Sequence, residues 1–436
     1  MCSAASDPRS ISSTGFHRSS VSESESEAGP HVEAIFTSPS IEVDWVGAQV
    51  DDAATEQRRE AAVVLTPPLA LEGGLVEEHQ TPGLLPRMLS LLRNVRPGSD
   101  LTHFQLPPLF NMPKSQLQCY GESVYCINDD YLTRCPRGKS SLERFTSVVA
   151  WSISTMRPAI FGLAPYDPIL GETHHVSRGS LNVLLEQVSH HPPVSALHAT
   201  DAKENIELIW WHNLVTRFHG TNVEAVINGK RQLKLLTFGE DYEMDSPNLV
   251  VRLLPTTGAD WLGDVRIRCK DSDLEANLCY HKSQSFLGFG GNSRSVRGNI
   301  FHSKTSKTIY EIDGQWDRIV NLKDVHSGEV TVLYDAMKAI SKLKTPVLEA
   351  PENLWPTESA TVWREVSQAI LNMDWEKASE AKRRIEEKER ELQREWKSRG
   401  EVWVPKHFSV AHAKDNEWDC WPLEHSVPLA PISVPP

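Results

Sequence analysis

Seven cysteines in 436 residues, odd in number and without C-x-x-C spacing, exclude a disulfide framework or a cysteine zinc knuckle and suit a reducing compartment. No run of 18 apolar residues occurs, so no segment has the length of a bilayer-spanning helix. The first residues are polar and serine-rich without an apolar h-region, which argues against secretion. Excess positive charge is absent too; the formal net charge is −13, which argues against nucleic acid as a partner. His174, His175, His198, His212 and His219 raise the question of zinc, yet no H-E-x-x-H is present. A G-x-S-x-G elbow and a Walker loop are also missing. The chain is therefore read as not an enzyme, with no cofactor and no metal.

What charge there is lies unevenly. Residues 1–82 carry −10 and the remaining 354 residues only −3, so the part able to fold is close to neutral. The acidic serine run Ser19 to Glu27, with Thr66-Pro67-Pro68 and Gly73-Gly74, predicts a disordered tail over 1–82. From Gly83 the composition changes. Leu84, Leu85, Met88, Leu89, Leu92 and Val95 recur at helical spacing among Arg87, Arg93 and Arg96. Such a helix packs on a core, lies on a membrane or covers a pocket.

The middle of the chain alternates in β fashion through Val265 to Lys270 and Leu274 to Tyr280. Asn228-Gly229 predicts a type I′ hairpin between Val223–Ile227 and Lys230–Leu235. Turn signals recur at Pro255 to Gly258 and Gly288 to Gly291, the latter beside Lys282, Arg294 and Arg297, a weak candidate for a membrane-facing basic patch. Many short strands suggest a meander, sandwich or barrel. Helical spacing returns over Ala360 to Leu371 and Asp374 to about Arg399, where Gly400 is a natural stop. The last 25 residues hold five prolines and read as an extended Pro-rich tail, 412–436.

Most informative is Glu186-Gln187-Val188-Ser189-His190-His191-Pro192-Pro193-Val194-Ser195-Ala196. An apolar strand runs into two imidazoles and is stopped by two prolines, which lack an N–H and fix φ. Both rings then stand at a sheet rim, where each donates an N–H and gains charge beside a phosphate. These eleven residues resemble the signature of the oxysterol-binding protein family. Tyr166 to Glu172, Ile312 to Trp316 with Leu333 to Asp335, and Trp403 to Phe408 resemble further family segments in the same order. The resemblance spans roughly 84–411, and Val149 to Ser154 looks most like the short plant-type members without a pleckstrin-homology domain.

The resemblance implies a mainly β (α+β) fold, a large antiparallel β-barrel around a hydrophobic lipid tunnel. A lid (about 83–110, with Leu84, Leu85, Met88, Leu89 and Leu92), a barrel (about 115–335) and C-terminal helices (about 358–400) would form one domain over 83–411. It implies a cytoplasmic lipid carrier, peripherally associated with membranes of the endoplasmic reticulum or contact sites, that binds a sterol in exchange for phosphatidylinositol 4-phosphate. A lipid sensor without net transport is the alternative. His190, His191, Lys382, Glu386 and Arg390 would hold the headgroup; the last three lie four apart, within an arc of about 80° on a helix. Charge pattern alone reads them as a solvated stripe with Glu386 oriented to pair with Arg390.

Two departures stand against headgroup binding. Ala164 occupies a place where the family has lysine, and Asp167 one where it has asparagine. One lost charged hydrogen bond costs about 1.5–3 kcal/mol, roughly ten- to a hundredfold in affinity. Arg157, seven residues upstream of Ala164, is the candidate replacement. An endoplasmic reticulum receptor protein is a further candidate partner, although Glu33 to Thr37 is too degenerate for the acidic motif that recruits one.

Overall fold

The alternating middle of the chain builds one 15-stranded sheet. The structure, a computed structural model, describes residues 63–72, 83–102, 104–281, 294–412 and 418–436. A small parallel pair, β1 (Asn111–Ser115) and β2 (Ala164–Tyr166), precedes it. The sheet then runs as β3 (Thr173–Arg178), β4 (Leu181–His190), β5 (Pro193–Asp201), β6 (Ile206–Phe218), β7 (Asn222–Leu235), β8 (Glu240–Met244), β9 (Asn248–Arg252), β10 (Gly258–Cys269) and β11 (Leu274–His281). It continues with β12 (Ser295–His302), β13 (Thr308–Gln315), β14 (Ile319–Asp324) and β15 (Val330–Asp335). Neighbours in sequence from β3 to β15 pair antiparallel, except β8 and β9, each of which pairs with both β7 and β10. The fold is thus a barrel-like, largely antiparallel sheet, and its inward side chains, such as Leu197, Leu208, Ile267 and Ile300, form the main core.

The helices frame the sheet. They are α1 (Leu84–Leu91), α2 (Gln116–Tyr125), α3 (Ser141–Ser154), α4 (Arg364–Leu371) and α5 (Trp375–Arg399). Residues 116–154 are thus mainly helical, and the meander starts at Thr173 rather than near residue 115. Ser115 caps α2 in a reciprocal capping box with Gln118, and Ser140 caps α3. On α3, Phe145, Val148, Val149 and Ile153 are fully buried in the core. Helix α5 ends as its sequence predicts, with Gly400 left-handed at φ 66°.

Three sequence expectations need correction. Asn228-Gly229 is not a turn: β7 runs unbroken through it and pairs with β6 from Ile206↔Leu235 to Phe218↔Val223. A Cβ on Gly229 would lie 2.0 Å from the Trp211 carbonyl oxygen, so glycine serves close approach of two backbones instead. The C-terminal residues are not a free tail. After β16 (Val347–Leu348), the hairpin of β17 (Phe408–His412) and β18 (Trp418–Pro422) packs on Val188, Val194 and Ala196, and β19 (Ile432–Ser433) joins the main sheet parallel to β3 and antiparallel to β16. Ile432 is fully buried, and apolar burial outweighs the prolines beside it.

Residues 63–72 belong to the expected disordered tail but are packed. Thr66, Pro68 and Ala70 are buried, Leu71 donates to the Ile340 carbonyl at 3.0 Å, and Glu72 accepts from Ser341. The acidic serine run, Lys282 and Gly288 to Gly291 lie outside the described residues. Arg294 and Arg297 are each ion-paired, with Asp317 at 3.0 Å and Asp313 at 2.7 Å, so neither adds free charge to a basic patch.

Candidate functional site

The long β6–β7 pair sets the axis of an internal cavity of about 590 Å³. Inward positions alternate along both strands, so Thr216, Leu214, Ala225 and Ile227 give it an apolar wall. From Thr216 to Trp210 the wall spans about 20 Å at 3.3 Å per residue. One end is polar. Trp210 pairs directly across the sheet with Arg231, and the His212 ring stacks on Trp210 at 5.4 Å and 12°. Arg231 donates to Ser152 Oγ at 2.7 Å and Thr155 Oγ1 at 2.8 Å, at the C-terminal end of α3. Its Nε, the Trp210 Nε1 and the His212 Nδ1 are buried without a hydrogen-bond partner among the described residues.

Burial governs the charges at this end. It lowers the Arg231 guanidinium to about 10 and, with Arg231 nearby, holds His212 near 3, so His212 is neutral at physiological pH. The three orphan nitrogens lie where apolar walls surround them, and an unmet buried donor costs about 1–3 kcal/mol. A ligand oxygen at this end would meet them.

The other polar region is a rim. Strands β4 and β5 form a hairpin whose tip is His191-Pro192, with His190 paired to Pro193, so the prolines turn the chain back rather than only ending the ladder. The tip stands both rings at the cavity, centroids 4.5 Å apart, and His190 Nδ1 bonds the Pro168 carbonyl at 3.2 Å. Helix α5 brings Lys382, Glu386 and Arg390 to the same cavity. All five expected headgroup residues therefore converge.

Their electrostatics differ from the expectation. Lys382 is buried and donates to the Leu106 carbonyl at 2.5 Å and Asn111 Oδ1 at 2.9 Å; burial lowers its pKa against the pull of Glu386 and Asp167. Glu386 pairs with Lys382 at 3.8 Å, not with Arg390. Burial raises Glu386, with Asp167 adding to the rise, and it also raises Glu389. Asp167 lines the cavity, placing a third carboxylate at the rim. Arg390 is exposed. Arg157 does not replace the missing lysine, because its guanidinium is taken by the carbonyls of Ser154, Met156 and Cys126.

The helix expected to carry a lid forms as α1. Leu84 and Leu92 are buried, Leu85, Met88 and Leu89 are half-buried, and α1 packs with Phe218, Leu253 and Val223. Met88 and Leu92 reach the cavity. Sequence reading missed Arg231, Trp210 and Glu389 as cavity residues. The only local signal was Arg231 itself, an isolated charge on the inward phase of an apolar strand. Among the described residues no group of three His, Cys, Asp or Glu side chains is placed to hold a metal.

Beneath the rim, Glu172 is fully buried and accepts from Ser115, Ser359 Oγ at 2.7 Å, Trp363 Nε1 at 2.8 Å and Ile169 N at 3.1 Å. Burial raises it to about 7 against those four donors. Its backbone carbonyl accepts from Gln187 N at 2.9 Å, tying the Tyr166 to Glu172 segment to the histidine hairpin.

Comparisons with known proteins agree with this architecture. The family model "Oxysterol-binding protein" matches residues 87–427. The chain is 50% identical over 376 residues to oxysterol-binding protein-related protein 4C of Arabidopsis thaliana, covering 86% of this chain and 99% of that one. It is 48% identical to the 4B protein of the same plant, over 87% of this chain and 99% of the relative. Among solved structures, the Osh1 ORD domain in complex with cholesterol aligns with a TM-score of 0.67 and 21% identity, over 87% of this chain and 95% of the other. The Osh3 ORD of Saccharomyces cerevisiae in complex with PI(4)P aligns with a TM-score of 0.60 and 24% identity, over 78% and 91%.

Proposed function

Because the chain belongs to the oxysterol-binding protein family, we propose that it is a non-enzymatic carrier that binds one sterol and moves it between membranes, with phosphatidylinositol 4-phosphate competing for the same cavity. The observation that carries this reading is one apolar cavity with two chemically distinct polar ends. A sterol hydroxyl has two lone pairs and a proton, which suits the N–H groups of Arg231 and Trp210 and the neutral ring of His212. The sterol body meets the wall of β6 and β7. Burying about 400 Å² of apolar surface is worth roughly 10 kcal/mol, comparable with leaving a bilayer, so the lipid exchanges without a chemical step.

At the rim, His190, His191 and Arg390 face a phosphate, Lys382 supports the site from within, and Glu386 orients Lys382 or accepts an inositol hydroxyl. Loading one lipid excludes the other. Helix α1 acts as a lid through Met88 and Leu92. The protein works in the cytoplasm at the surface of the endoplasmic reticulum or at contact sites, with an endoplasmic reticulum receptor protein as a candidate partner.

The test is sterol movement between two vesicle populations, with phosphatidylinositol 4-phosphate in the acceptor. Faster sterol transfer supports exchange. Stoichiometric sterol binding without acceleration supports instead a lipid sensor, a reading favoured by Asp167, Glu386 and Glu389 at the rim and by the internal bonds of Lys382.

A further inference from the structure

Beside the histidine hairpin lies a second, open groove of about 670 Å³, bounded by the segment after α5 and the β17–β18 hairpin. His190, His191 and Gln393 line both this groove and the cavity, so the two meet at the doublet. The segment Val402-Trp403-Val404 is extended and alternates. Trp403 turns inward onto Gly171, where an added Cβ would lie 3.0 Å from the indole. Val402 and Val404 turn outward and are 86% and 71% exposed. Next to them, Cys420 of β18 is buried while Trp421 and Leu423 are 46% and 54% exposed.

This apolar edge is held rigidly. The buried carboxylate of Glu186, within the eleven-residue signature, accepts from the backbone N–H groups of Lys406 and His407, each at 2.8 Å. Leu423 N donates to the His407 carbonyl at 2.9 Å, which ties the second apolar strand end to the first. Two valines, a tryptophan and a leucine are thus fixed in water at one side of the cavity mouth, while folding leaves them uncovered.

We propose that Val402, Val404, Trp421 and Leu423 form a rigid seat for a lipid bilayer, which brings the histidine rim against the membrane. The inference rests on the carrier reading, because a lipid leaving the cavity must reach a bilayer without crossing water. A protein docked on this edge would stand across the route at His190 and His191; a bilayer extends it. The neighbours suit an interface as well. Lys397 and Lys406 are exposed beside the seat, Arg399 being paired with Glu401 at 2.9 Å, and tryptophan favours the headgroup level of a membrane.

The experiment uses the full chain and vesicles of phosphatidylcholine with phosphatidylserine. Val402→Asp with Val404→Asp should weaken vesicle co-sedimentation at least tenfold, while cholesterol loading from a cyclodextrin complex stays unchanged. Val404→Trp, at a position with open space, should strengthen vesicle binding several-fold. Unchanged co-sedimentation of the double variant, or no gain from the tryptophan, overturns the seat. So does a wild-type dimer that the double variant dissolves, which would make the edge a contact between two copies. Failure of the wild type to load cholesterol from cyclodextrin refutes the carrier reading instead, and that readout needs no membrane.

Discussion

Replacing Arg231 by methionine should separate ligand binding from stability. The guanidinium is 2% exposed and bonded only to two neutral hydroxyls, Ser152 and Thr155, among the described residues. Burial lowers its pKa from 12.5 to about 10, so at pH 7 the folded state holds a cation that the unfolded chain holds more easily. For a base, a depressed folded pKa means that the unfolded chain binds the proton more tightly. The resulting penalty is fully present below pH 10 and fades above it, and a shift of this size is on the order of 3 kcal/mol. Methionine fills a similar volume and removes that penalty at the expense of two hydrogen bonds, each worth about 1.5–3 kcal/mol. The Thr155 hydroxyl keeps its own acceptor, the Ser152 carbonyl at 2.7 Å.

The two lost bonds together match or exceed the relieved penalty, so the variant should be destabilised by no more than about 3 kcal/mol. Sterol affinity should fall as well. Loss of a charged donor to the hydroxyl weakens binding roughly ten- to a hundredfold. The assay is equilibrium binding of cholesterol from a cyclodextrin complex, with thermal unfolding run on the same samples. Unchanged sterol affinity would show that the hydroxyl is not at this end. Loss of affinity with destabilisation well beyond about 3 kcal/mol would make Arg231 a brace for α3 rather than a ligand group.

His190→Ala with His191→Ala should abolish phosphatidylinositol 4-phosphate binding and leave sterol binding largely intact, because both rings stand at an exposed hairpin tip; equal loss of both would indicate a folding role. Ala164→Lys should tighten headgroup binding about tenfold or more by supplying a donor and offsetting Asp167, measured by vesicle binding, and an unchanged affinity would place residue 164 away from the phosphate. Acidification from neutral pH toward the ordinary carboxylate range should favour headgroup binding at the rim, since Glu386 and Glu389, raised by burial, lose negative charge before ordinary carboxylates do. Glu389→Gln should flatten that dependence relative to wild type, a comparison that cancels the proton the phosphate itself takes up near pH 6.

Local patterns carried a large part of the reading. The histidine doublet between a strand and two prolines marks a strand end, because proline lacks the N–H that continues a ladder; that the chain turns back there, with His190 paired to Pro193, is seen only in the structure. The four-residue spacing of Lys382, Glu386 and Arg390 fixes one helix face, and Gly400 fixes its end. These are properties of neighbours within one turn, which a sequence states directly.

Long-range pairing decided the rest. Asn228-Gly229 is a turn signal by itself, yet thirteen residues of β6 pair across it and hold it straight. Only that pairing sets Arg231 opposite Trp210 and creates the polar end of the cavity. Strand β19 enters the sheet because Ile432 finds a covered place beside β3, a gain that no count of prolines reveals. Lys382 likewise belongs to an exposed-looking charged stripe in sequence, but packing against Leu106 and Asn111 buries it and changes what its charge can reach. The sequence by itself determined which side chains share a helix face or a strand end, since dihedral preference and short-range periodicity act within a few residues. Burial, desolvation and the meeting of distant polar groups depend on which strands lie side by side, and that was decided only in the tertiary structure.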